Sequence, residues 1–146
     1  MMLQMVGCDH QDSSLEFREK LAFSPEQTQQ ALLQLRKLYP LSELVLLSTC
    51  NRVELYAAAA EDSDCPGKAE IVQFFSGFHG IDAEIVNDQL QLQSEEDAVR
   101  HLFATAASLE SMVVGEAQVL SQVKQAYEAA NRDNCTGPLT HAAFQA

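Results

Sequence analysis

The sequence predicts an α+β fold, a ferredoxin-like antiparallel sheet with two helices, followed by a helical segment. Three observations lead there. Two apolar runs rich in strand formers, Glu43 to Thr49 and Val53 to Ala59, are separated only by Cys50-Asn51-Arg52 and read as a tight hairpin. Helical patterns on either side of that hairpin, with an outer strand beyond each, give the order strand, helix, strand, strand, helix, strand. From Ser94 the character changes and stays helical, with one glycine, to about Arg132.

Taken in order, Leu3 to Cys8 (LQMVGC) reads as a short strand ending at Asp9-His10, and Ser13 to Ala22 carries a helical mixture. Ser24-Pro25-Glu26-Gln27 announces the next helix: Ser24 suits the N-cap, Gln27 closes a capping box, and Pro25 occupies the first helical position, where its missing N–H costs nothing. Leu32, Leu33, Leu35 and Leu38 supply its apolar contacts until Pro40. After the hairpin, Asp62 to Gly67 is loop, and Lys68 to Phe78 is a helix with Ile71, Val72, Phe74, Phe75 and Phe78 inward, ended by Gly80. Gln89 to Gln93 alternates as a half-exposed edge strand does. Ser94-Glu95-Glu96-Asp97 starts the helical part, whose expected inner face is Val99, Leu102, Phe103, Ala106, Leu109 and Val113. Asn134 to Pro138 is a turn, and His141 to Ala146 opens another helix. The expected division is a catalytic, substrate-binding domain over 1–133, with an α/β sandwich part over 1–93 and a helical part over 94–133. Residues 134–146 begin a linker helix.

With 146 residues and 47% hydrophobic content, the chain is long enough for one proper core. Its apolar stretches fall well short of the roughly 20 residues that a membrane helix needs, and the start lacks the features of a signal peptide, so a soluble, cytoplasmic protein is expected. Four cysteines show neither CxxC pairing nor a metal-ligand rhythm with the histidines, and they read as reduced thiols with no metal site. Nine basic against 21 acidic residues give a formal charge of -12, and no Lys/Arg cluster offers a patch for non-specific nucleic-acid binding.

Cys50 is the first candidate for chemistry, because a hairpin tip frees backbone N–H groups and lets a side chain meet a substrate. A nucleophilic cysteine needs a nearby cation or free amides to favour its thiolate, and Arg52 and the turn suit that need. Taken alone, a cysteine is more often a small buried hydrophobe. A second constellation is a stripe at helical spacing: His101, Ala104, Ser108, Ser111, Gly115, Gln118 and Gln122. A merely solvated face usually collects Lys and Glu, whereas Ser, Gly, Gln and one His offer hydrogen bonds and room for a polar ligand. An ordinary helix-contact face is the competing reading. His101 suits a general acid or base near neutrality, while His10, His79 and His141 read as structural.

Two blocks then carry a resemblance. Ser48-Thr49-Cys50-Asn51-Arg52-Val53-Glu54-Leu55-Tyr56, with His101-Leu102-Phe103 and the run from Ser111 through Gly115-Glu116-Ala117-Gln118 to Lys124, resembles the glutamyl-tRNA reductase family; Gly7, His10, Arg18 and Glu19 extend the match. The resemblance covers roughly the first third of a family member. It implies that Cys50 attacks the aminoacyl ester of glutamyl-tRNA to form a thioester, that His101 assists, and that NADPH in the full-length enzyme reduces the thioester to glutamate 1-semialdehyde for tetrapyrrole synthesis. Thr49, Asn51, Arg52, Ser111, Glu116, Ala117, Gln118 and Gln122 are implied to hold the glutamyl moiety, Arg52 through its carboxylate. The full-length enzyme is implied to be a homodimer that channels its product to the aminomutase. The sequence departs from the family at Ala117, where proline is usual, and at Gln11-Asp12-Ser13-Ser14, where Lys-Thr-Ala-Pro is common. The six glycines form no GxGxxG, so NADPH is expected to bind to domains that these residues do not include, as are the dimerisation helices. The rival from another class is a binding module for charged tRNA or a protein partner that performs no chemistry, and a third reading makes Cys50 a thiol sensor.

Overall fold

A computed structural model describes residues 2–106 and 117–145, with the side chains of 117–120 outside the described set. Four strands, β1 (Met2–Asp9), β2 (Glu43–Ser48), β3 (Arg52–Ala59) and β4 (Gln91–Ser94), form one sheet in the order β2-β3-β1-β4. Every neighbouring pair is antiparallel, the ferredoxin-like order expected from the sequence. The hairpin strands β2 and β3 and the edge strand β4 all fall within two residues of their expected bounds.

The first crossover holds α1 (Leu15–Leu21) and α2 (Pro25–Leu38), and the second holds α3 (Lys68–His79) and α4 (Ala83–Gln89). Ser24 caps α2 as its sequence predicts: Gln27 N–H donates to Ser24 Oγ at 3.1 Å, and Ser24 N–H donates to Gln27 Oε1 at 2.9 Å. Gly80 ends α3 at φ 66, in the left-handed region that side chains avoid. Helix α4 has no counterpart in the sequence reading. At seven residues it is too short to show a helical period, and its one start signal is Asp82, whose Oδ1 accepts from Glu84 N–H at 2.8 Å. In α2, Leu32 and Leu35 are buried as expected, but Leu33 and Leu38 are exposed.

All eight residues of β3 are buried, so both faces of the sheet are covered. Val53, Leu55, Ala57 and Ala59 share one face with the α1–α3 layer, where Phe23, Phe75 and Phe78 pack at ring separations of 5.2–5.3 Å. The helical segment folds back over the other face as α5 (Glu96–Ala106), α6 (Ala117–Arg132) and α7 (Pro138–Phe144). Ser94 is the last residue of β4 rather than a cap for α5, and Glu95 turns the chain at φ 53. The buried stripe of α5 is Ala98, Leu102 and Thr105, while Phe103, expected inside, is 46% exposed. Leu109 and Val113 lie outside the described residues.

Helix α7 docks on the sheet through both ends. Glu43 on β2 accepts from Leu139 and Thr140 N–H and from the Thr140 hydroxyl, so a carboxylate sits at the positive end of α7. At the other end Phe144 meets Tyr56 edge to face and stacks on Tyr127. Among the described residues no helix is long and apolar enough to cross a membrane.

Candidate active site

The face of β3 beneath α5 and α7 breaks the apolar pattern of the strand. Arg52, Glu54 and Tyr56 recur at the two-residue period of a strand, so all three side chains enter the same layer. Each is 1% exposed, which makes this a buried polar row. Glu54 is its hub. Its Oε1 accepts from the Tyr56 hydroxyl at 3.0 Å, and its Oε2 accepts from Arg52 Nη1 at 3.2 Å and lies 2.5 Å from Nε2 of His101 on α5. Arg52 Nη1 also donates to Thr105 Oγ1 at 3.2 Å. Burying a carboxylate is costly unless the charge is paired and its lone pairs are filled, and Arg52, Tyr56 and His101 together meet both needs.

Gly7 makes the hub possible. It pairs with Glu54 across β1 and β3, and a Cβ there would lie 2.3 Å from Val53 O and 2.7 Å from Glu54 Cα. No side chain larger than hydrogen fits.

The hairpin turn carries Cys50 at its tip. Thr49 N–H donates to Arg52 O at 2.8 Å, and the Thr49 hydroxyl accepts from Asn51 N–H at 3.1 Å and Arg52 N–H at 3.2 Å. The sequence suggested that turn amides would be free to favour a Cys50 thiolate; those of Asn51 and Arg52 are instead bonded to the Thr49 hydroxyl. What the turn supplies is rigidity. Cys50 is exposed, whereas Cys8, Cys65 and Cys135 are buried. Burial pushes the Cys8 and Cys65 thiols up to about 11 and raises that of Cys135, which keeps all three protonated and unreactive near neutrality.

Two clefts flank this end of the sheet. One, of ≈ 380 Å³, is lined by Gly7, Asp9, Asp12, Glu54, Gln91 and His101; burial raises the Asp12 carboxyl, and the charges of Asp9 and Glu54 add to the rise. The other, of ≈ 730 Å³, lies between α2 and α6, with Phe23, Gln29, Ser48, Gln122 and Arg132 in its lining. Thr49, Cys50 and Asn51 are thus brought together in one turn, and Arg52 and His101 meet through Glu54. Gln122 lines the cleft between α2 and α6 and is not brought to the Arg52, Glu54 and His101 cluster, and Cys50 is in the lining of neither cleft. Ser111 and Glu116 lie outside the described residues; Ala117 and Gln118 open α6, and their side chains are not described. Sequence reasoning passed over Glu54 as a site residue, although the polar alternation at 52, 54 and 56 in an otherwise apolar strand was a signal for it. Among the described residues no His, Cys, Asp and Glu cluster is arranged to hold a metal ion.

Comparison with known proteins agrees with this architecture. Residues 6–146 match the family model described as "Glutamyl-tRNAGlu reductase, N-terminal domain". Glutamyl-tRNA reductase of Rhodopirellula baltica is 42% identical over 146 residues, covering 100% of this chain and 34% of its own. That of Geobacter sulfurreducens is 43% identical over 127 residues, covering 87% of this chain and 29% of its own. The solved structure of glutamyl-tRNA reductase from Methanopyrus kandleri superposes with a TM-score of 0.76 at 34% identity, over 98% of this chain and 31% of that one. The chain spans about a third of the length of these relatives. With the fold, the family model and a similarity that runs along the whole of this chain in agreement, this chain belongs to the glutamyl-tRNA reductase family, to its N-terminal domain.

Proposed function

We propose that this chain performs the acyl-transfer half of glutamyl-tRNA reduction, with Cys50 as the nucleophile. The observation that carries the reading is an exposed thiol on a pinned hairpin turn, two residues before the Arg52 that enters the buried cluster with Glu54 and His101. Cys50 Sγ attacks the carbonyl carbon of the glutamyl ester. The S–C bond forms, the ester C–O bond breaks, and the terminal ribose hydroxyl of the tRNA leaves carrying the proton that the thiol gave up. His101 serves as the proton carrier. Glu54 fixes its ring orientation and balances the charge of an imidazolium, as a carboxylate behind a catalytic histidine does.

Thr49 and Asn51 shape the turn, and Arg52, with Ser111, Glu116, Ala117, Gln118 and Gln122, contributes to the wall that holds the glutamyl group. The Arg52 charge is already balanced by Glu54, so a substrate carboxylate reaching it meets a pair rather than a lone cation.

The residues described here do not fit NADPH. A dinucleotide needs a parallel strand, glycine turn and helix unit, whereas this sheet is antiparallel throughout, so no hydride step is assigned to this chain's own residues. In the reading proposed, the complete reductase is a homodimeric, cytoplasmic NADPH enzyme of tetrapyrrole synthesis that passes glutamate 1-semialdehyde to the aminomutase. Residues 1–133 form its catalytic domain and 134–146 begin the link to the rest.

The test is release of glutamate from glutamyl-tRNA by the 146-residue chain, compared with Cys50→Ser. Accelerated ester hydrolysis by the wild type, lost in the variant while tRNA binding persists, supports acyl transfer. Equally accelerated hydrolysis in both removes Cys50 as the nucleophile, and binding without hydrolysis in both makes the chain a binding module instead.

A further inference from the structure

We infer that Arg18 is a positioning residue for Cys50, tying the nucleophile's turn to the loop that follows β1; this rests on the acyl-transfer reading above. Arg18 lies on α1 and is 6% exposed. Its Nε donates to Cys50 O at 3.4 Å, and its Nη1 donates to Ser13 O at 2.6 Å, Ser13 Oγ at 3.3 Å and Asp9 O at 3.5 Å. None of the ion pairs among the described residues includes it. A guanidinium buried without a carboxylate is expensive, and salt-bridge stability does not repay that cost here. Every acceptor that holds it is a backbone carbonyl or a hydroxyl, and together they come from two separate loops.

The sheet explains why the loops are within one side chain's reach. Because β1 runs antiparallel to β3, Asp9 at the end of β1 pairs with Arg52 at the start of β3, so the loop after β1 and the hairpin tip emerge side by side. Arg18 joins them from below. The peptide unit between Cys50 and Asn51 is thereby held at both ends, its oxygen by Arg18 Nε and its N–H by Thr49 Oγ1. With that plane held, the Cys50 Cα that lies in it is held too, which narrows the positions open to the side chain. Misplacing a reacting atom by about 1 Å costs on the order of 100-fold in rate, so the orientation matters to a nucleophile far more than to a loop. The departure from the family at Gln11-Asp12-Ser13-Ser14 leaves this device intact, because Arg18 reads Ser13 mainly through its carbonyl, with the hydroxyl a weaker second contact.

The experiment compares wild type with Arg18→Lys and Arg18→Gln in the 146-residue chain. Lysine keeps the charge but concentrates its donors on one nitrogen, which cannot serve both loops. Amide hydrogen exchange is measured at Asn51 and Arg52, alongside single-turnover thioester formation from glutamyl-tRNA. The expected result for Arg18→Lys is at least tenfold faster exchange at Asn51, unchanged exchange within β1 and β3, and at least tenfold slower thioester formation with half-saturation within threefold. Unchanged exchange at the turn overturns the inference, as does a rate loss that merely follows lost thermal stability. If both variants fail to fold, Arg18 is a core residue and the inference is overturned as well. Should the wild type form no thioester while exchange at Asn51 still rises in Arg18→Lys, the functional reading fails and the ordering role of Arg18 stands.

Discussion

Glu54 and His101 stand 47 residues apart in the sequence, yet Glu54 Oε2 lies 2.5 Å from His101 Nε2, with the carboxylate 1% exposed and the imidazole 12% exposed. This contact joins the sheet to the helical segment laid over it, and it makes one buried carboxylate answer to both a guanidinium and an imidazole. Glu54→Gln keeps the shape but removes the buried carboxylate charge that Arg52 Nη1 and His101 Nε2 share. Removing one partner of a buried pair typically costs about 3–5 kcal/mol, and an unfolding free energy lower by that amount is expected from urea titration. His101→Asn, which removes the less buried partner, should cost less stability and more activity.

The glycines give a paired prediction with opposite signs. Gly7→Ala forces a Cβ against backbone atoms of Val53 and Glu54 that cannot rotate away, and a loss of at least about 3 kcal/mol is expected, at the upper end of overpacking. Gly77→Ala places a Cβ in open space on α3, where removing a helical glycine should add about 0.5–1 kcal/mol. Differential scanning calorimetry of both variants checks the pair.

Thiol chemistry should divide the cysteines one against three. Brief iodoacetamide treatment of the native chain at neutral pH is expected to alkylate Cys50 alone, because Cys8, Cys65 and Cys135 are buried and held as neutral thiols. Intact mass spectrometry should give a single adduct, and peptide mapping should place it on Cys50. Addition of urea should raise the count to four.

The pH dependence of stability follows from His79. Burial lowers its affinity for protons, against a smaller opposing effect of its hydrogen bond to the Leu21 backbone, so the unfolded chain binds a proton at higher pH than the folded one. The resulting stability is complete above the unfolded value near about 6.5 and is lost as pH falls from there toward the lower folded value. The melting midpoint should therefore drop on acidification from pH 7 to 5. His79→Phe, which keeps the ring against Phe23, should flatten that slope.

Much of this architecture was legible because local and long-range signals agreed. The hairpin around Cys50, the box at Ser24 and the edge strand read at Gln89 to Gln93 each had a turn, cap or period of their own. Helix α4 was not legible because seven residues hold too little period. The inner face of α5 was misjudged at Phe103 because the sheet beneath it is polar at Arg52 and Glu54, so the helix turns Thr105 and His101 toward it and leaves an aromatic ring outside. Polar burial of this kind cannot be read from a hydrophobic pattern. Cys50 and His101 were both visible as chemical types; the polar alternation at 52, 54 and 56 hinted at Glu54, but the room for its carboxylate shows only in the strand register that places Gly7 opposite it.

The most direct test of the central claim is acid quenching of the chain after mixing with tRNA carrying radiolabelled glutamate. The account predicts label covalently attached to the peptide that contains Cys50, released by hydroxylamine as a thioester is, and absent from Cys50→Ser. Label that persists in Cys50→Ser, or a wild type that acquires none while its turn remains ordered, would contradict it.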